Sequence, residues 1–184
     1  MKLAKKVFTI VFILLFIVLV VVLIKVNIDI NKSNEYILYV TNSANEISSK
    51  VEEINGTLND FEYSESGENV SELETSLTEI GNVYDNITND KVNYTVPYKG
   101  EVINESFGNY LEGTEGIITS YNEIIVTMNN LEDRDVFDEK VEDYIVYSND
   151  LQNNLETLEQ DLNEYVQEYN KLDFDRIIHG FKSI

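Results

Sequence analysis

Residues 7–24, VFTIVFILLFIVLVVVLI, decide how the rest of the chain is arranged. These eighteen residues include no charged side chain, and Thr9 is their one polar side chain. At a rise of ~1.5 Å per residue, a helix of this length covers ~27 Å, close to the ~30 Å hydrocarbon core of a bilayer. The stretch therefore predicts a transmembrane helix over residues 7–24, with the lipid bilayer as its partner.

The charges on either side of this stretch predict its orientation. Lys2, Lys5 and Lys6 precede it, and the first acidic residue of the chain is Asp29. Cationic flanks stay cytoplasmic, so we expect residues 1–6 to be a cytoplasmic N-terminus and the remainder to lie outside. A cleaved signal peptide is the alternative, but the apolar run is longer than its usual ~7–15 residues and no small-residue cleavage site follows. The sequence thus predicts an uncleaved signal anchor of a single-pass cell-membrane protein.

The part beyond Lys25 is strongly acidic. It contains nine basic and all 34 acidic residues, a formal charge of −25. Such a surface repels nucleic acid and anionic headgroups and keeps the domain soluble, while it attracts cations and basic partners. Since the chain has no cysteine, disulfides and thiolate metal sites are excluded.

Apolar residues recur at alternating steps of three and four, the pattern of a heptad repeat. The first such run predicts a helix over about 26–61, and its register continues back into residues 7–24 without a skip. One unbroken helix from about residue 3 to residue 61 would follow, with the Asn-rich residues 27–34 as its weakest part. The predicted core positions of this helix are Ser33, Ile37, Val40, Ala44, Ile47, Val51, Ile54, Leu58 and Phe61.

Three more helices are predicted, over about 70–88, 101–132 and 136–173. The predicted core positions of the third helix, 101–132, are Ile103, Phe107, Tyr110, Thr114, Ile117, Tyr121, Ile124, Met128 and Leu131, and those of the fourth, 136–173, are Phe137, Val141, Tyr144, Ser148, Leu151, Leu155, Leu158, Leu162, Tyr165, Tyr169 and Leu172. Three glycines in the third helix, Gly108, Gly113 and Gly116, favour close approach of a neighbouring helix or a local break, with a hinge as the alternative. Residues 88–100, which hold the one proline, break the helical period and read as an extended connector. The third helix has an apolar face wide enough for two neighbours, which favours a bundle within one chain. The predicted fold class is all-α: a transmembrane helix followed by an extracytoplasmic, antiparallel four-helix bundle with heptad-like packing over residues 25–173. We expect this domain to be monomeric.

No catalytic, cofactor-binding or metal-binding residues are predicted. The one histidine, His179, lies near the C-terminus, so neither a carboxylate–histidine metal site nor a Ser–His–acid arrangement can be assembled in the bundle core. An EF-hand loop starting at Asp133 fails, because Phe137 and Asp138 occupy positions that need an oxygen ligand and a glycine. We therefore expect a protein that is not an enzyme and has no cofactor.

The chain contains six N-x-S/T sequons, which are candidate N-glycosylation sites if residues 25–184 lie outside. The candidate acceptors are Asn31, Asn55, Asn69, Asn86, Asn93 and Asn104.

Residues 174–184 form an amphipathic basic and apolar tail. Its last nine residues, RIIHGFKSI, contain no acidic side chain. Spacing in a helix groups the apolar residues on one side, and two interpretations follow. Either the tail lies on the outer leaflet, or its apolar side closes the open end of the bundle beside the first helix. The candidate interfacial residues are Phe174, Arg176, Ile177, Ile178, Phe181 and Lys182.

The plan of a short basic N-terminus, one span and ~160 helical residues is similar to that of the LemA family of membrane-anchored proteins. The basic segment that follows the first helix in that family has no counterpart here. Chemoreceptor-type sensor domains are similar in their heptad pattern, but they lead into a second span. Both resemblances are limited to the order, length and heptad pattern of the predicted helices, and neither assigns the chain to a family.

These observations favour a non-enzymatic, membrane-anchored spacer or docking module whose partner is another envelope or membrane protein. The alternative is a ligand-binding or sensing domain that signals through a membrane partner. A sensing domain needs a pocket with convergent polar groups, for which the core tyrosines, Thr114 and Ser148 are the candidates.

Overall fold

The computed structural model describes residues 2–61, 70–130 and 134–182, and within these ranges the chain is helical with no strand. The prediction of an all-α protein is confirmed. The described residues form five α-helices and one short 3-10 helix: α1 (Lys2–Asp60), α2 (Val70–Asp90), the 3-10 helix Lys91–Asn93, α3 (Glu101–Asn129), α4 (Arg134–Glu168) and α5 (Phe174–Lys182).

Helix α1 runs without a break through the apolar stretch and on to Asp60. Its 59 residues make a rod ~88 Å long, and the Asn-rich residues 27–34 remain helical. All twelve side chains from Ile10 to Val21 are apolar and 38–64% exposed. Among the described residues, this is the one helix long and apolar enough to cross a membrane, as the sequence predicts.

Helix α2 packs along the part of α1 that lies beyond the apolar stretch. The Tyr39 hydroxyl donates a hydrogen bond to the Ile87 carbonyl oxygen at 2.6 Å, and the Lys50 ammonium lies 2.6 Å from a Glu79 carboxylate oxygen. Because residue numbers rise along α1 as they fall along α2, the two helices are antiparallel.

The most extensive helix pair is α3 with α4, which also run antiparallel. Ser106 donates a hydrogen bond to Asp161 near one end of the pair, and Lys140 lies 3.0 Å from Glu123 near the other. Helix α3 also packs on α2, so its wide apolar face contacts two neighbours, as predicted.

Burial along α4 separates the predicted core positions into two rows. One row, with a step of seven, is buried, and the other is half-buried, with Ser148 and Leu155 lining a groove between α4 and α1. The buried row is Phe137, Tyr144, Leu151, Leu158 and Tyr165; the half-buried row is Val141, Ser148, Leu155, Leu162 and Tyr169.

The end of α4 differs from the prediction. The helix stops at Glu168 rather than residue 173, and Leu172, a predicted core residue, is 59% exposed. The chain turns here because Asp173 starts a new helix: its side-chain oxygen accepts a hydrogen bond from the Arg176 amide at 2.8 Å, as an N-cap does. The predicted end of the third helix, residues 131–132, lies outside the described residues.

The connector between α2 and α3 packs back onto α1 through its aromatic side chains. The Tyr94 ring stacks on the Tyr39 ring with centroids 4.1 Å apart. Lys99 has a φ of 58°, a left-handed backbone conformation that is uncommon for a residue with a side chain. The break in helical period comes later than predicted: α2 continues to Asp90 and a 3-10 helix covers Lys91–Asn93, so that only residues 94–100 of the predicted extended connector are irregular.

Candidate functional site

The Arg176 cluster is the most unusual polar arrangement in the described part of the chain. Arg176 is the one buried residue there with an ionisable side chain that carries a charge at neutral pH, and it is 1% exposed. Its Nη2 donates a hydrogen bond to Ser33 Oγ at 2.6 Å, and its Nη1 donates one to the Tyr169 carbonyl oxygen at 2.8 Å. The cluster therefore joins α5, the end of α4 and α1 at one point.

A tyrosine completes the cluster. The Tyr165 hydroxyl donates a hydrogen bond to the Tyr98 carbonyl oxygen at 2.9 Å and lies 3.3 Å from Ser33 Oγ. Ser33 Oγ in turn donates to the Asp29 carbonyl oxygen at 2.8 Å. The connector before α3 is thereby attached to the same point as α4 and α5.

The hydrogen-bond acceptors of the Arg176 guanidinium among the described residues are neutral oxygens. The third of them, the Asp29 carbonyl, is 3.5 Å from Nη2, and Nε is buried without a hydrogen bond. Burying a cation is costly because it loses its hydration, so hydrogen bonds to neutral acceptors add little net stability. These hydrogen bonds are directional, however, and they hold the guanidinium in one position. We interpret the cluster as a set of contacts that fixes the position of α5 on α1.

A glycine allows the last turn of α5 to approach α1 closely. A Cβ atom at Gly180 would lie 2.9 Å from a Val26 methyl carbon and 3.3 Å from a Val22 methyl carbon. Both valines are fully buried, although Val22 belongs to the apolar stretch. Helix α5 therefore runs along α1 from the level of Ser33 to the C-terminal end of that stretch.

The predicted tail residues divide between two sides of α5. Arg176 faces α1 and is not a free basic group, whereas Phe174 and Phe181 are 74% and 45% exposed. Ile177 and Ile178 are half-buried, and Lys182 is exposed. Residues 183–184 of the predicted tail lie outside the described residues.

A groove of about 410 Å³ lies between α1 and α4, with Tyr110 of α3 at its base. Tyr110 donates a hydrogen bond to the Ala44 carbonyl oxygen at 3.2 Å and has Ser48 Oγ at 2.9 Å. The groove is lined by six polar and three apolar side chains besides Tyr110: Ser48, Glu52, Asn55, Ser148, Asn149, Gln152, Val51, Leu151 and Leu155. Of the pocket candidates from the sequence, Ser148 lies here, while Thr114 is buried and bonds its own helix at Tyr110.

The sequon asparagines fall into two groups in the structure. Asn31, Asn86 and Asn93 are exposed. Asn55 and Asn104 are half-buried, and each accepts a tyrosine hydroxyl through its side-chain oxygen, Asn55 from Tyr144 at 2.9 Å and Asn104 from Tyr36 at 3.2 Å. Asn69 lies outside the described residues.

His179 takes part in packing. Its ring lies 4.3 Å from the Tyr98 ring, between centroids, and its Nδ1 is buried without a hydrogen bond. In the described ranges, no group of three or more His, Cys, Asp or Glu side chains is arranged to hold a metal ion.

Sequence reasoning missed the contribution of Tyr36 and Tyr39 to the core and the burial of Arg176. Both tyrosines are adjacent to predicted core positions, but their hydroxyls find partners only when other helices arrive. The pairing of Arg176 with Ser33 spans 143 residues and has no local signal beyond a serine at a core position. No protein-family model, curated protein or solved structure matches this chain.

Proposed function

We propose that the chain is a single-pass membrane protein whose helical domain lies outside the cytoplasm and acts, without catalysis, as a spacer or docking module. The observation that carries this proposal is the continuity of α1, which belongs both to the apolar stretch and to the domain core. A domain whose first helix is also its anchor is held at a fixed height and direction.

Exposure along the apolar stretch supports membrane anchoring. Twelve consecutive apolar side chains on all sides of a helix would be costly in water at ~25 cal/mol per Å² of apolar surface, but they suit a hydrocarbon environment. The lysines at residues 2, 5 and 6 support a cytoplasmic N-terminus.

The helix pairs support an antiparallel four-helix bundle. Helices α1 and α2, α2 and α3, and α3 and α4 pack consecutively, and Tyr144 of α4 bonds Asn55 of α1 across the remaining side. A bundle of this kind with a charge of −25 is well suited to stand in solution and to meet a partner with a basic surface.

The spacer interpretation is tested by the height of the domain above the bilayer. From Ile24 to Gly56 α1 rises ~48 Å, and Gly56 is exposed with open space for a side chain. In the full chain in nanodiscs, a label on Gly56→Cys should give a narrow distribution of distances to the bilayer surface, set by this rise and the helix tilt. A Lys32→Pro variant breaks the helix and should broaden it. A broad distribution without the proline would argue against a spacer.

The orientation is tested by labelling single cysteines, since the natural chain has none. A membrane-impermeant maleimide added to intact, wall-stripped cells should label Asn59→Cys, which is exposed, and leave Lys2→Cys unlabelled until the cells are opened. The reverse pattern would place the domain in the cytoplasm.

The groove between α1 and α4 favours a second candidate function, the binding of a small polar ligand. Its side chains offer several hydrogen-bond donors and acceptors around Val51, Leu151 and Leu155, the composition of a polar ligand site. Amino acids and monosaccharides should raise the melting temperature of the full chain, and Asn149→Trp should abolish the shift by filling the groove. The absence of a shift with either class of compound would leave the spacer interpretation as the better one.

A further inference from the structure

Helix α5 has one face packed on α1 and an apolar face directed away from it. At ~100° per residue, Phe174, Ile177, Ile178 and Phe181 fall within one sector, on the side opposite Arg176 and Gly180. Arg176 and Gly180 are buried, whereas on the other side Phe174 and Phe181 are 74% and 45% exposed and Ile177 and Ile178 are half-buried.

We propose that the outward face of α5 lies in the outer leaflet of the same bilayer that α1 crosses, in contact with phospholipid acyl chains. The C-terminal helix is then a second membrane contact of the domain beside the anchor. This inference rests on the proposed membrane anchoring of α1. It goes further by proposing that phospholipid covers the outward face of α5.

The depth of α5 supports lipid as the occupant. Gly180 packs on Val22, which lies two residues inside the end of the apolar stretch. Val22 is 0% exposed, whereas its neighbours Val21 and Leu23 are 43% and 38% exposed, so α5 covers this side of the stretch. If α1 crosses a bilayer, the last turn of α5 is at the outer edge of the hydrocarbon core, where Phe181 meets acyl chains.

The charges of α5 are arranged for this position. The Arg176 guanidinium is near Ser33, nine residues or ~13 Å beyond the apolar stretch, and two of its nitrogens donate hydrogen bonds to protein oxygens there. The exposed Asp175 carboxylate lies 3.9 Å from the Lys99 ammonium. Lys182 is exposed at the end of the helix and is long enough to reach the headgroup level.

A second copy of the chain is the other occupant that an exposed apolar face could have. The lipid occupant is favoured because Phe181 is exposed next to Gly180, which packs on Val22 of the apolar stretch, so the face lies at the depth of exposed residues such as Leu23. A partner protein would have to reach below the level of Val26 to cover Phe181.

Tryptophan quenching in proteoliposomes tests the proposal, since the natural chain contains no tryptophan. The full chain carries one tryptophan at a time: Phe181→Trp, Phe16→Trp in the middle of the apolar stretch, or Val92→Trp in the connector. Val92 is 83% exposed and lies two residues before Tyr94, whose ring stacks on Tyr39, about fifteen residues or ~22 Å along α1 beyond the apolar stretch. The vesicles contain phospholipid brominated either near the headgroup end or near the methyl end of the acyl chains.

The proposal expects Phe181→Trp to lose about half or more of its emission with bromines near the headgroup end, and less with bromines near the methyl end. Phe16→Trp should show the opposite preference, and Val92→Trp should not be quenched. Phe174→Trp, about seven residues or ~10 Å higher, should be quenched more weakly than Phe181→Trp and provides a second reading should the first variant misfold.

If Phe16→Trp is quenched and Phe181→Trp is not, α1 is an anchor and the proposal for α5 is wrong. Emission from Phe181→Trp that is shifted to shorter wavelength but not quenched would mean that protein covers the face, and it would also overturn the proposal. If neither tryptophan is quenched, the membrane anchor itself is wrong, and the inference fails with it.

Discussion

Nη2 of Arg176 lies 2.6 Å from Ser33 Oγ, and this hydrogen bond joins α5 to α1 nine residues beyond the apolar stretch. Ser33 is 0% exposed and occupies a heptad core position where an apolar side chain is the usual choice. The serine is present because the core at this level contains a cation that needs an acceptor.

Replacing this acceptor should therefore destabilise the protein. Ser33→Ala leaves a buried guanidinium donor without its partner, and we expect a loss of about 1–3 kcal/mol in the free energy of unfolding. Ser49→Ala, at an exposed position of the same helix, is the matched control and should change stability by less than about 0.5 kcal/mol. Thermal unfolding of the purified full chain in detergent measures both, and equal effects of the two variants would contradict this role for Ser33.

Two leucines of α4 that look equivalent in the sequence should differ. Leu158 is 0% exposed, whereas Leu155 is half-buried on the wall of the groove. Leu158→Ala should cost about 2–5 kcal/mol, because it leaves a cavity in a packed core. Leu155→Ala should cost less than half as much, since part of the removed side chain already faces the groove. Similar losses measured by denaturant unfolding would mean that the groove is closed in solution.

The glycines of α3 provide another matched pair. A Cβ atom at Gly108 would meet no atom within 4 Å, while one at Gly113 would lie 3.0 Å from Leu151 Cδ1 and 3.1 Å from Asn154 Nδ2. Gly108→Ala should stabilise the helix by up to about 1 kcal/mol. Gly113→Ala should lose that gain or reverse it, because α4 would have to move. Melting temperatures followed by circular dichroism distinguish these outcomes. Stabilisation by both substitutions would show that α4 can move to make room for the added methyl group at little cost.

Stability should decrease at high pH. Burial raises the pKa of Tyr36, Tyr39 and Tyr121 to about 12 each. Tyrosines in the unfolded chain ionise at a pH of about 10, so the unfolded state loses these protons before the folded state does. The stabilisation is therefore complete below that pH and is lost as the pH rises from about 10 to about 12. Melting temperatures across this range should fall, and fall less steeply in Tyr36→Phe. A flat profile would mean that these phenols are accessible to solvent.

The assembly state is a further expectation. Since α3 uses its wide face within the chain, against α2 and α4, we expect the full chain to be monomeric in detergent at micromolar concentration. Sedimentation with density matching measures the protein mass in the micelle. A stable dimer would point to contacts through the surfaces that remain exposed.

Sequence patterns predicted the helical architecture well where apolar residues alone decide it. The eight predicted core positions of α3 from Ile103 to Met128 are all buried, and Gly113 and Gly116 face α4, in agreement with the close helix–helix approach that glycines in a helix allow. The core tyrosines were not all found, because a phenol becomes a core residue only when a distant oxygen such as Ile87 O or Asn104 Oδ1 accepts its hydrogen bond.

The tail, residues 174–184, shows a second limit of prediction from sequence. One side of α5, with Arg176 and Gly180, packs on α1, while on its apolar side Phe174 and Phe181 are exposed and Ile177 and Ile178 are half-buried. A helical period cannot tell which face meets protein, because Arg176 becomes an inward residue only through Ser33 and the Tyr169 carbonyl. The end of α4 at Glu168 has a similar origin, since the heptad continues to Leu172 while the N-cap at Asp173 redirects the chain.

The unbroken helix α1 also sets the azimuth of the molecule. A helix without a hinge resists twisting as well as bending, so the helices packed on its second half cannot turn about its axis independently of the apolar stretch. The side of that stretch that carries Val22 faces α5. Any molecule that bound the apolar stretch in one orientation would therefore also fix the direction in which the groove between α1 and α4 opens.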